Sequence, residues 1–165
     1  TRGGPDVAKG HSTGRLASLV DIYPTIMQTV GAADDGLPRP GINLNDLSRA
    51  GSDDRAILSE YHDGGSPVGM FMLRQKRWKY KSYPGYAPEL FDMHADPNEL
   101  QDLASDPAFA ADRDECHRAL SRIVDPDEAN KRAFADQAKR IEALGGIDKI
   151  LASEEFDHTP VPGTP

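Results

Sequence analysis

Cysteine occurs once in this chain, at position 116. A single thiol excludes an internal disulfide and any zinc site built on cysteines. Long hydrophobic runs are absent, so no segment reads as a bilayer span and a membrane is not an expected partner. Positive charge is also scarce, with 19 Lys and Arg against 27 Asp and Glu and a formal net charge of −8. A general polyanion binder carries a basic footprint, so nucleic acid is not an expected partner either. The common catalytic signatures are missing too. There is no phosphate-cradling glycine loop, no H-E-x-x-H and no G-x-S-x-G, and Ser12 in "GHSTG" lacks the elbow pattern. No signal-peptide pattern is present, and the sequence assigns no compartment.

What remains is a lean chain of 165 residues, 38% apolar, rich in turn formers. A chain this long buries roughly two-thirds of its unfolded surface, enough for one modest core. Glycine (15) and proline (13) imply much loop and turn. The start at Thr1-Arg2-Gly3-Gly4-Pro5, without a methionine, and the proline-rich end at Thr159–Pro165 read as extended strapping segments. The chain is therefore expected to be part of a longer protein.

Residues 1–15 are polar and glycine-rich, and read as loop. In "LASLVDIYPTIMQTVG", apolar residues recur at helical spacing, but Pro24 forbids one continuous helix. The pattern predicts an extended lead-in at Ser18–Val20, Asp21 as N-cap, a helix from Ile22 and a stop at Gly31. Residues 32–54 read as a long connection. "AILSEY" (56–61), "GMFMLR" (69–74), "WKYKSY" (78–83) and "ELFD" (89–92) read as strands with brief connections, which favours an antiparallel sheet. Trp78, Tyr80 and Ser82 share one face of the third strand; Lys79, Lys81 and Tyr83 share the other.

Three Asp-Pro pairs, at 96–97, 106–107 and 125–126, each place a capping residue before a proline suited to a first helical turn. Asp96 with Glu99 and Asp125 with Glu128 have capping-box spacing. The helix after Pro107 aligns Phe109, Cys116, Leu120 and Ile123. The helix after Pro126 aligns Phe134, Ala138, Ile141 and Leu144 before Gly145-Gly146, with Asp127–Lys131, Glu128–Arg132 and Asp136–Arg140 as i,i+4 pairs. The fold class predicted is α+β, a small antiparallel sheet of about four strands packed against C-terminal helices. The expected divisions are 1–55, linker and short helix; 56–125, sheet with following helices; and 126–165, terminal helix and proline-rich tail.

Candidate chemistry is sparse. Cys116 lies on a helical apolar stripe and reads as a small buried hydrophobe. His117 points elsewhere on the helix. Asp34-Asp35 and Asp53-Asp54 read as solvated loop acids, without a histidine at ligand spacing. The cluster Arg74, Lys76, Arg77, Lys79 and Lys81 reads either as a solvated face or as a patch that steers an anionic ester. His62 ends the first strand beside Asp63-Gly64-Gly65-Ser66. It reads either as an ordinary loop histidine or as a side chain reaching a ligand. His11 and Lys9 are weaker candidates. No residue is assigned a catalytic or a metal-binding role.

Two segments, in order, resemble a known family. "LASLVDIYPTIMQTVG" resembles the segment following the catalytic domain of type I sulfatases, where a Val- and Asp-bearing lead-in meets Y-P-T and a short helix. "RWKYKSYPGYAPELFDMHADPNELQDLASDP" resembles their C-terminal hairpin and the "LFDL…DP.E..NLA" signature, with Met93 in place of leucine and Gln101-Asp102 where Glu/Asn is common. The resemblance spans roughly residues 14–125. "QAKRIEALGGIDKIL" and "FDHTPVPG" resemble the tail of a choline-sulfatase-like branch.

The resemblance implies the alkaline phosphatase superfamily and a C-terminal subdomain supporting sulfate-ester hydrolysis by a catalytic domain absent from this chain. It implies formylglycine and a calcium or magnesium ion in that missing domain, and no cofactor here, since "ECHRAL" around Cys116 is not the C/S-x-P-S-R motif. The implied partners are the catalytic domain and a small-molecule sulfate ester, with a homo-oligomer possible. The implied substrate-facing residue is His62. The isolated chain is expected to be inactive. The alternatives are the same role in a phosphonate monoester or phosphodiester hydrolase, or a non-catalytic oligomerisation module.

Overall fold

A computed structural model describes residues 10, 12–32, 36–49, 54–62 and 66–152. They fall into two compact units, one up to Pro126 and one from Asp127. The predicted α+β class is observed. Four strands, β1 (Ala56–Tyr61), β2 (Met70–Gln75), β3 (Trp78–Ser82) and β4 (Glu89–Asp92), pair antiparallel in chain order. β2 lies one residue later than predicted and β3 ends one earlier. The β2–β3 turn needs only Lys76 and Arg77, with Lys76 at φ 49°.

One row crosses the whole sheet: Leu58, Leu73, Tyr80 and Leu90 face one another in register. Leu73 and Leu90 are fully buried, as is Phe71 on the same face. Each such side chain contributes roughly 1.5–3 kcal/mol of apolar burial. The helix α3 (Ala110–Ser121) covers this face with Cys116, Ala119 and Leu120. Its expected stripe is shorter at the far end, because Ile123 lies beyond the helix and is exposed. Phe109 instead meets Trp78 edge-on, ring centroids 5.9 Å apart. Residues 101–104 run beside β4: Leu103 N–H donates to Leu90 O at 2.8 Å, and Leu90 N–H donates to Asp102 Oδ1 at 2.9 Å.

The three Asp-Pro pairs behave differently. Asp106 caps as predicted, accepting from Ala108 N–H at 2.9 Å before the 3₁₀ turn Pro107–Phe109 that leads into α3. Asp125 precedes α4 (Pro126–Ala143). Asp96-Pro97 starts no helix. Glu99 sits at φ 57° and its carboxylate bonds Lys79 Nζ at 2.6 Å. The strand lysine claims the side chain a capping box would use.

The lead-in also differs from prediction. Leu19–Asp21 is a 3₁₀ turn rather than extended, and α1 follows at Ile22–Thr29. Asp21 has helical backbone angles and makes no capping bond to α1. Its carboxylate is spent on tertiary partners: Ser18 N–H (2.7 Å), Ile42 N–H (2.9 Å) and both terminal nitrogens of Arg55 (2.7 and 2.6 Å). Gly31, at φ 67°, ends α1 as predicted. The connection contains a helix the sequence reading missed, α2 (Leu44–Arg49), begun by Asn43 Oδ1 accepting from Asn45 N–H at 2.7 Å. Thr25 Oγ1 accepts from Leu44 N–H at 2.9 Å and ties the two helices.

In the second unit, α4 is followed by Gly145 and Gly146 at φ 93° and 95°, then by α5 (Ile147–Ala152), also unanticipated. Phe134 and Leu144 of the predicted stripe are exposed. Asp136 pairs with Lys139 at 3.2 Å instead of Arg140. Among the described residues, no helix is long and apolar enough to cross a membrane.

Candidate functional site

The end of β1 carries the most defined polar feature among the candidates. Period-two alternation puts Glu60 and His62 on the same side as Phe71, the cross-strand partner of Glu60. The imidazole packs edge-on against Phe71, centroids 5.3 Å apart and planes at 82°. Gly69 lies beside both rings: an added Cβ there would stand 2.5 Å from His62 Cε1, 2.8 Å from Nδ1 and 3.1 Å from Phe71 Cε2. His62 Nε2 is 3.9 Å from Glu60 Oε2, and the two side chains keep 30% and 39% of their surface exposed. Nothing in sequence spacing pointed to Gly69 as a neighbour of His62; the β1–β2 register creates it.

The five cations of the hairpin do not form an open anion site. Arg74 Nη1 donates to the carbonyls of Lys76 (2.7 Å) and Trp78 (2.9 Å). Lys76 lies 3.6 Å from Asp54, and Arg77 pairs with the buried Asp92. Lys79 meets Glu99, while Lys81 meets Glu89 at 2.9 Å and Glu99 at 3.5 Å. The Lys79 hydrogen bond holds the Glu99 carboxyl below its ordinary pKa despite some desolvation. Lys79 and Lys81 also lie on the sheet face opposite His62. Acids from β4 and the following turn thus pair Arg77, Lys79 and Lys81, while Lys76 lies near Asp54 and Arg74 binds backbone carbonyls.

Cys116 is buried as expected. Desolvation, reinforced by the charges of Asp112 and Glu115, pushes its thiol up to about 11, which suppresses the thiolate. His117 Nδ1 is 3.1 Å from Tyr80 Oη, and burial raises the Tyr80 pKa. Among the described residues, no three His, Cys, Asp or Glu side chains converge as a metal site would require. Lys9, His11, Asp34, Asp35, Asp53 and Asp63 lie outside the described residues. The described donors and the buried thiol thus fit neither a divalent ion nor a formylglycine.

Sequence reading also missed a groove of about 450 Å³ between α1 and residues 37–46, lined by Tyr23, Met27, Leu37, Arg39, Asn43 and Asp46. The Arg39 guanidinium stacks 4.4 Å above the Tyr23 ring. Asp21 does not line this groove; it is buried in the adjacent lead-in, bonded to Arg55, Ile42 and Ser18. Burial alone would raise its pKa; the Arg55 hydrogen bonds, then those from Ile42 and Ser18, outweigh that and bring it to about 2.

No protein-family model matches the chain. It is 36% identical over 118 residues to arylsulfatase K of Mus musculus, a match covering 62% of this chain and 21% of that protein. A solved 2-O GAG sulfatase is 31% identical with a TM-score of 0.51, covering 72% of this chain and 26% of that one. The phosphonate monoester hydrolase of Agrobacterium radiobacter is 25% identical with a TM-score of 0.51, covering 66% of this chain and 25% of that one. The chain therefore spans about a fifth to a quarter of the length of these relatives. Four-stranded sheet, hairpin signature and these similarities agree: the chain belongs with the sulfatases of the alkaline phosphatase superfamily and corresponds to their C-terminal region.

Proposed function

We propose that these residues support the hydrolysis of a sulfate ester whose reacting groups are carried by a catalytic domain outside them. The single observation behind this reading is the 36% identity to arylsulfatase K over a region holding only about a fifth of that protein. The residues described here fit neither formylglycine nor its metal ion, and that chemistry belongs to the catalytic domain. Residues 1–55 join the region to that domain, residues 56–125 present the sheet, and residues 126–165 form the terminal helix and tail. The outward apolar side chains of the lead-in, Leu19 (82% exposed), Ile26 (52%) and Val30 (68%), suit a segment that packs on something further.

Within the sheet, His62 is the substrate-facing residue. Its ring is held by Phe71 and Gly69 while part of it stays open to solvent. A sulfate ester is favoured over a phosphonate monoester because sequence identity is higher to the arylsulfatases.

The test compares the 165-residue chain with the longer protein containing it. The longer protein is expected to hydrolyse sulfate esters in a metal-dependent way, and the chain alone is expected to give no turnover. His62→Ala in the longer protein raises KM for its best substrate about tenfold, the size of one hydrogen bond to a polar ligand. Metal-dependent turnover by the chain alone, abolished by His62→Ala, would overturn the reading.

A further inference from the structure

The long helix of the second unit carries an uncovered apolar stripe. α4 has 18 residues and is about 27 Å long. At about 100° per residue, Phe134, Ala138 and Ile141 fall on one line. Phe134 is 47% exposed, and Ala138 is exposed beside it. An apolar stripe on an otherwise polar helix calls for a covering surface. The charges beside it say which surface. Lys131 and Glu142 flank the stripe on one side; Ala133, Gln137 and Leu144 flank it on the other. Asp136 and Lys139 pair with each other away from the stripe, at 3.2 Å.

We infer that α4 is a self-association surface that pairs antiparallel with α4 of a second copy of this chain. A two-fold axis across antiparallel helices brings the same flank of each together. The midpoint between Lys131 and Glu142 falls between Asp136 and Gln137. An axis there sets Lys131 of each copy level with Glu142 of the other, which gives two ion pairs. The same axis sets each Phe134 ring at the level of Ala138 and Ile141 in the other copy, a large side chain over a small one. A parallel pair would bring opposite flanks together and set both charges against Ala133, Gln137 and Leu144. The helix is thus complementary to its own reverse in shape and in charge. Two helices of this length bury a small interface, of the class below about 1,200 Å² that binds weakly, so monomer and dimer exchange. This inference does not rest on the sulfate-ester reading.

The experiment uses the longer protein containing this region, with molar mass read by sedimentation velocity over a concentration series. The mass is expected to pass from monomer to dimer as concentration rises. Phe134→Glu is expected to raise the dimer dissociation constant roughly a hundredfold or more, as loss of a central aromatic anchor does. Lys131→Glu and Glu142→Lys each raise it about tenfold, because each places like charges together twice across the axis. Lys131→Glu combined with Glu142→Lys restores it to within about threefold. Ending the chain after Ala152 leaves it unchanged.

A protein that stays monomeric throughout the series would overturn the inference, as would a dimer that Phe134→Glu leaves intact. A monomer that Phe134→Glu unfolds would assign the stripe to the same polypeptide and overturn it too. Loss of the dimer on ending the chain after Ala152 would overturn it in favour of residues 153–165. Charge reversals that the double variant does not rescue would overturn the antiparallel pairing. If Phe134→Glu does not fold, the charge-reversal set decides.

Discussion

The lead-in and the sheet are held by opposite kinds of force. In the sheet, Leu73, Leu90 and Phe71 vanish from solvent beneath α3, and polar groups stay at the edges. In the lead-in the fully buried side chain is a carboxylate, Asp21, while Leu19, Ile26 and Val30 point outward. The sheet's apolar row is hidden by a helix of the same unit. The lead-in instead turns its apolar residues outward and joins its pieces through one buried acid, which is the arrangement the proposed packing on a catalytic domain calls for. The lesson is that burial alone does not mark what a region is for; which residues are buried does.

The sharpest way to break this contrast is Asp21→Ala. It strands Arg55 beside a vacated site, and removing one member of a buried pair costs about 3–5 kcal/mol. Hydrogen exchange is expected to rise through residues 16–49 while the amides of Leu73 and Tyr80 keep their protection. Loss of protection in both places would show that the two regions are one cooperative unit. Next, Leu73→Ala should cost about 2–5 kcal/mol in urea unfolding, and here the sheet itself loses protection.

Third comes pH. The Asp21 pKa falls from an ordinary 3.8 to about 2 on folding. Its stabilisation is complete above about pH 4, fades as pH drops through the interval between these values and is gone below about pH 2. The amount is about 2 kcal/mol, read from stability measured along an acid titration, and Asp21→Asn should flatten that slope. Smallest is Tyr80→Phe, which removes the hydroxyl facing His117 and should cost about 1 kcal/mol in the same unfolding assay.

The sheet was the more legible region. Alternation in "WKYKSY" follows from local residue order, so strand positions came within a residue. Cys116 was legible for the same reason, since helical spacing set its face. What stayed hidden depends on partners distant in the chain. Asp21 looks like a helix cap until Arg55, 34 residues on, takes its carboxylate. Glu99 looks like part of a capping box until Lys79, 20 residues earlier, draws it off. Lys79 and Lys81 look like an anion patch for the converse reason. At the candidate site, His62 stood out by its place at a strand end. Gly69, which fixes its ring, became visible only with the hairpin folded.

Gly41 carries a last consequence. A Cβ at this position would lie 2.1 Å from the Val20 carbonyl oxygen, and the next amide, Ile42 N–H, is one of those bound by Asp21. Spacer and latch are therefore adjacent links of one mechanism. Replacing Gly41 with alanine would push residue 41 away from the 3₁₀ turn and slacken the grip on Arg55, the residue before β1, so a lone methyl group more than a dozen residues upstream reaches the point where that strand begins.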